Sequence, residues 1–145
     1  MAPQPFIPPP TSQQKQRGRV LIVDDERRLA EALRLSLATE HDVHVETQGR
    51  KALELLVGSG GPATFDVILC DMLMPDLAGH DLYEQVAMRR PEMAERFVFL
   101  TGGAFTDSTR AFLQRVPNPR IEKPFDLDAL EKLVDERVRF ARSLR

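Results

Sequence analysis

The chain has 145 residues, 42% of them hydrophobic and 29% charged, a length that suits one medium-sized domain and a composition that excludes wholesale disorder, a collagen and a disulfide scaffold. Twenty basic side chains against 22 acidic ones give a net charge of -2, too balanced for the electrostatic footprint of a nucleic-acid binder, so no direct nucleic-acid contact is expected. Cys70 has no internal partner, the first thirty residues hold no apolar signal-peptide core, and aliphatic runs such as residues 20–23 and 67–70 fall far short of the roughly 20 residues a bilayer requires; a cytoplasmic protein without membrane insertion is expected.

Pro3, Pro5, Pro8, Pro9 and Pro10 place five prolines in the first ten positions, which predicts an extended, flexible tail or linker over residues 1–18. Lys15, Arg17 and Arg19 stand there without an acid, so from residue 20 onward 17 basic groups face 22 acidic ones and the folded part is acidic. From Val20 short apolar runs alternate with stretches of helical spacing, the pattern of βα units around a parallel sheet. Five strands are predicted, at residues 19–23, 41–46 (the weakest), 67–70, 97–100 and 120–122. Five helices are predicted between and after them, carried by Leu29, Leu33 and Leu37; by Ala52, Leu55 and Leu56; by Leu82 and Val86; by Ala111 and Phe112; and by Leu127, Leu130, Val134 and Val138. The expected architecture is an open three-layer α/β sheet over residues 19–142, with no repeat that would suggest a solenoid.

Open parallel sheets bind ligands beyond the carboxyl ends of their strands. Those ends supply Asp24 and Asp25 after the first strand, Asp71 after the third, Thr101 after the fourth and Lys123 after the fifth. Carboxylates that close raise one another's pKa unless a cation sits among them, and an oxygen-rich set suits a hard ion such as magnesium. Taken singly, each residue has a plainer reading: Asp24 and Asp25 as helix caps, Thr101 before Gly102-Gly103 as a turn residue, Lys123 as a solvated charge. Their joint placement at strand ends favours phosphoryl chemistry.

These residues resemble the receiver domain of two-component response regulators. The resemblance runs from Arg19 to about Phe140 and rests on VLIVDDE at residues 20–26, DVILCDMLMPDLAG at 66–79, FLTGGA at 99–104 and EKPF at 122–125, all in family order. It implies a flavodoxin-like, CheY-like sandwich with strand order 2-1-3-4-5 and a cis peptide between Lys123 and Pro124. It further implies that Asp71 is the phosphoacceptor, that Asp25 binds Mg2+ directly and Asp24 through water, and that Asp71 and the backbone carbonyl of Leu73 complete the protein ligands. Thr101 and Lys123 would take phosphoryl oxygens. The implied donor is a histidine kinase or histidine phosphotransfer domain, with the chain a monomer or weak dimer and no turnover enzyme in its own right. The resemblance also fits either a stand-alone receiver or the C-terminal receiver of a hybrid histidine kinase.

One position departs from the family pattern: three residues before Lys123, where output-coupled receivers carry an aromatic switch, this chain has Arg120. Two other function classes stand beside the leading one. A magnesium-dependent phosphatase using Asp71 as nucleophile lacks an acid two residues on, where Leu73 stands, and a phosphorylation-independent interaction module leaves the acidic set without a purpose. His41, His44 and His80 are not spaced as metal ligands, Cys70 reads as a packed thiol, and the arginines at 137, 139, 142 and 145 complement a helix C-terminus.

Overall fold

The computed structural model describes residues 16–102 and 106–144; the proline-rich stretch at 1–15 and the Gly103 position lie outside the described residues. Five strands, β1 (Arg19–Val23), β2 (Asp42–Glu46), β3 (Val67–Asp71), β4 (Phe97–Thr101) and β5 (Arg120–Glu122), form one sheet of order β2-β1-β3-β4-β5. Every neighbouring pair is parallel, with Val20 opposite Val43 and Val67, Leu69 opposite Val98 and Leu100 opposite Ile121. This is the expected flavodoxin-like order. The helices are α1 (Arg27–Leu37), α2 (Gly49–Val57), α3 (Gly79–Arg89), α4 (Pro91–Ala94), α5 (Asp107–Arg115) and α6 (Leu127–Ser143).

The expectation of five helices is corrected to six among the described residues. The addition, α4, is a four-residue turn with proline at its start, where the missing N–H costs nothing. It is too short to show helical periodicity in the sequence.

Successive strand residues point to opposite faces, and the core divides accordingly. Val20, Ile22, Val67, Leu69, Val98 and Leu100 pack under Leu33 of α1 and Leu130, Val134 and Val138 of α6. Leu21, Val23, Ile68, Cys70, Phe97 and Phe99 pack on the other side under Leu56 of α2, Leu82 and Val86 of α3 and Phe112 of α5. The central strands β3 and β4 are buried at every residue, which is why they read as unbroken apolar runs, whereas edge strand β2 is only half covered. Tyr83 meets Phe97, Phe99 and Phe112 edge-on at 5.4 to 5.6 Å between ring centres, joining α3 and α5 to the sheet.

The folded body starts before β1. Gly18 is buried against Val138 so closely that a Cβ there would meet its methyls at 2.6 Å. Its N–H donates to His41 Nδ1 at 3.0 Å, and His41 Nε2 lies 2.8 Å from Asp135 on α6. Because Nδ1 must accept, Nε2 carries the proton and donates to Asp135, so both ring nitrogens are satisfied. At the end of α6, Arg142 lies 3.4 Å from buried Asp66, which also accepts the Arg19 N–H. No helix among the described residues is long and apolar enough to cross a membrane.

Candidate functional site

The carboxyl ends of β1, β3, β4 and β5 deliver the predicted groups to one edge. Asp24 and Asp25 follow β1, Asp71 closes β3, Thr101 closes β4 and Lys123 follows β5. One carboxylate oxygen from each of Asp24, Asp25 and Asp71 lies within 4.8 Å of the others. Lys123 Nζ stands 3.4 Å from Asp24 Oδ2 and 3.6 Å from Asp71 Oδ2. Asp24 is fully buried, Asp71 nearly so, and Asp25 faces solvent.

Asp24 serves two purposes at once. Its Oδ1 accepts the Glu26 N–H at 2.9 Å, shaping the turn into α1, while Oδ2 faces Lys123. The turn-forming reading of this acid and its membership of the cluster are therefore compatible. Thr101 is buried, its hydroxyl 3.5 Å from the Ile121 carbonyl, and its own carbonyl accepts the Lys123 N–H at 2.6 Å. Gly102 leaves room for the aliphatic stem of Lys123, which a Cβ would approach to 3.3 Å. The Lys123-Pro124 peptide is cis, as expected.

Burial and then the Asp24 charge push the Asp71 carboxyl up to about 6; Lys123 and the Leu73 N–H, which Oδ1 accepts at 3.3 Å, oppose that rise, and Asp25 adds to it. Lys123 thus stands against two of the three clustered acids, Asp24 and Asp71, and the cluster holds more acids than its one neighbouring ammonium can balance. An all-oxygen donor set with surplus negative charge fits a hard divalent cation. Leu73 itself is exposed beside this edge.

The loop from β3 to α3 is tightly held. A Cβ on Gly79 would lie 2.4 Å from the Asp71 carbonyl oxygen and 2.9 Å from Met72 Cα, so only glycine allows α3 to start this close to the strand end. Farther along the loop, Asp76 accepts the N–H groups of Gly49 at 3.0 Å and Arg50 at 2.9 Å, the first residues of α2. Desolvation, the largest single influence, works against them, but together these and the neighbouring backbone N–H groups outweigh it and hold the Asp76 carboxyl below its ordinary range. The sequence reading missed Asp76; the turn composition MPDLAG was its only local trace.

The remaining residues singled out in the sequence lie apart from this edge or inert beside it. Cys70 is buried, and desolvation followed by the charges of Asp71 and Asp24 pushes its thiol far up, away from the reactive thiolate. His41 lies near Glu40 and Asp135, but its tautomer, fixed by Gly18, leaves no lone pair for a metal. His80 packs at a tilt against Phe112, ring centres 5.7 Å apart. Arg120 is exposed on β5, in keeping with a solvated edge residue. Arg137 donates to the Glu95 carbonyl at 3.0 Å.

A 2-1-3-4-5 parallel sheet with an acidic, lysine-faced cluster at its carboxyl edge defines the response-regulator class of α/β proteins. A family model for the response regulator receiver domain matches residues 20–135, and the chain belongs to that family and so to two-component signalling. It is 31% identical over 113 residues to the response regulator ArlR of Staphylococcus saprophyticus, covering 77% of this chain and 48% of that protein. It is likewise 31% identical over 119 residues to the response regulator PilR of Pseudomonas aeruginosa, covering 81% of this chain and 25% of that one. The chain thus spans about half or less of the length of these relatives. Among solved structures, a CheY-like receiver domain protein from Methanospirillum hungatei superposes with a TM-score of 0.76 at 23% identity, covering 90% of this chain and all of the other, a likeness of fold.

Proposed function

We propose that the protein is a phosphoacceptor module in which Asp71 takes a phosphoryl group from a phosphohistidine of a histidine kinase or histidine phosphotransfer domain, in a magnesium-dependent reaction. The observation that carries this reading is the convergence of Asp24, Asp25, Asp71 and Lys123 at one sheet edge in a chain of the receiver family. Asp24, Asp25, Asp71 and the Leu73 carbonyl would hold Mg2+, which when bound supplies positive charge to the acceptor and to the incoming phosphoryl oxygens.

The ionised Asp71 oxygen forms the new P–O bond as the P–N bond to the donor imidazole breaks, and the departing nitrogen keeps the bonding pair and is protonated from solvent. Lys123, already 3.6 Å from Asp71, neutralises one phosphoryl oxygen, and the Thr101 hydroxyl donates to another. The 3.5 Å contact from that hydroxyl to the Ile121 carbonyl is long enough to be surrendered readily. Movement of Thr101 toward the acceptor then changes the surface beside β4 without an aromatic at position 120. Water attack on the acyl phosphate returns Asp71 and inorganic phosphate, so the module resets itself and turns over no other substrate.

Incubation with Mg2+ and acetyl phosphate, read by intact mass, tests the assignment. One phosphoryl adduct is expected in the wild type, lost on chelation of the metal and absent in Asp71→Asn, whose amide is no anionic nucleophile. An undiminished adduct in Asp71→Asn would refute it.

A further inference from the structure

We propose that Asp76 is a positioning residue for the metal, fixing the β3–α3 loop that carries the Leu73 carbonyl by clamping it to the N-terminus of α2; this inference rests on the phosphoacceptor reading above. The loop from Met72 to Ala78 has no helix or strand of its own. Of the proposed ligands, Asp71 ends a strand, whereas the Leu73 carbonyl sits in the loop itself. A neutral carbonyl dipole attracts a cation weakly compared with a carboxylate, and its contribution depends on being held where the ion will be.

The Met72 N–H donates to the Leu100 carbonyl at 3.2 Å and the Leu73 N–H to Asp71 Oδ1 at 3.3 Å, and two further anchors tie the stretch to helices. Gly79 donates to the Met72 carbonyl at 3.0 Å at one end. In the middle both Asp76 oxygens are engaged by the first two amides of α2. Apolar contact reinforces this second anchor, since a Cβ at Gly49 would meet both Leu77 Cβ and the Leu77 carbonyl at 2.9 Å and Met74 Cε at 3.3 Å. For its part, α2 has no cap of its own: Gln48 makes no side-chain bond to it, and its first turn carries no acid. The cap comes from 27 residues away, so the start of α2 and the loop that carries the Leu73 carbonyl form one mechanical unit. Asp76 points its charge at the helix amides, where the helix dipole favours it.

A clamp that favours the bound ion must itself be strengthened by the ion, because coupling is reciprocal. A cap that merely stabilised α2 would gain no more from the ion than the general stabilisation that binding gives the whole fold.

The test titrates the full chain with Mg2+ alone, followed by amide shifts, in the wild type, Asp76→Ala, Asp76→Asn and Gly49→Ala. Asp76→Ala is expected to weaken Mg2+ binding about tenfold, the lower end of the effect of groups that orient metal ligands. Asp76→Asn, which keeps one acceptor oxygen, should stay within about threefold. Gly49→Ala keeps Asp76 but pushes Leu77 away and should also weaken binding. In the wild type, hydrogen exchange at the Gly49 and Arg50 amides should slow on adding Mg2+ by more than at the Asp128 and Ala129 amides, which Asp126 caps on α6 in the same way, a measurement that needs no variant to fold. Unchanged affinity in Asp76→Ala and Gly49→Ala, or exchange at the Gly49 and Arg50 amides slowed by Mg2+ no more than at the α6 pair, overturns the positioning role and leaves the phosphoacceptor reading intact. A wild type without saturable Mg2+ binding overturns that reading, and this one with it.

Discussion

Asp71 is held in an environment that resists its ionisation, and that resistance is a cost carried by the metal-free fold. Its carboxyl sits at about 6 against an ordinary 3.8. Below about pH 4 it is protonated in folded and unfolded chains alike and has no effect on stability. Between there and about pH 6 the unfolded chain ionises while the folded one resists, so stability declines as pH rises and levels off above. In the absence of metal, Asp71→Asn should therefore stabilise the protein at pH 7.5 by about 1–2 kcal/mol, a figure reduced for the solvent that reaches this edge. The gain should vanish below about pH 4. Urea unfolding of both proteins across that range checks it, and a pH-independent difference would mean that the acid's environment is not what the variant relieves. The neighbouring Cys70, with its thiol pushed up by burial, should stay unmodified by iodoacetamide in the native protein at pH 8, as mass spectrometry can report.

At the scale of elements, the site depends on how closely α3 starts behind β3. Gly79→Ala sets a methyl against the Asp71 carbonyl oxygen and Met72 Cα, both backbone atoms without a rotamer to yield. Destabilisation by about 1–3 kcal/mol is expected, together with a slower Asp71 phosphorylation by acetyl phosphate, since the displaced atom belongs to the acceptor residue. A denaturant midpoint unchanged from wild type would argue that the helix start can shift freely. The β1, β3 and β4 runs were legible because buried parallel strands are apolar on both faces, and α1 and α6 because their apolar residues keep a helical period. The half-covered β2 left a weaker trace, and α4, with proline and three further residues, left none. The acidic edge was legible because each member ends a strand, so the order of the elements alone brings the residues together. Asp76 and the His41–Asp135 pair were not: their partners lie 26 to 27 and 94 residues away, and only the packing of α2 and α6 brings them close.

For the whole molecule, direction along the sheet separates attachment from chemistry. All strands run the same way, so Arg19 and Asp71 belong to opposite edges, about 16 Å apart for a five-residue strand. The helix that follows β5 runs back, and its last turns sit beside Gly18, Asp66 and Arg19. Entry and exit of the folded body therefore share the edge remote from the acids, stapled there by His41 and Arg142. A module wired this way behaves like a plug on a stalk: cargo of any bulk can hang from either end while the tip that carries the acids stays clear of it. Fusing a folded tag before residue 16 or after residue 144 should leave the rate of acetyl-phosphate labelling within about twofold of the unfused protein, because the acids lie at the opposite edge. A tag that blocked labelling from either end would mean the two edges are less independent than their separation implies. On the phosphoacceptor reading, the seam at which anything fused to this fold would join it is not the seam at which the acids work.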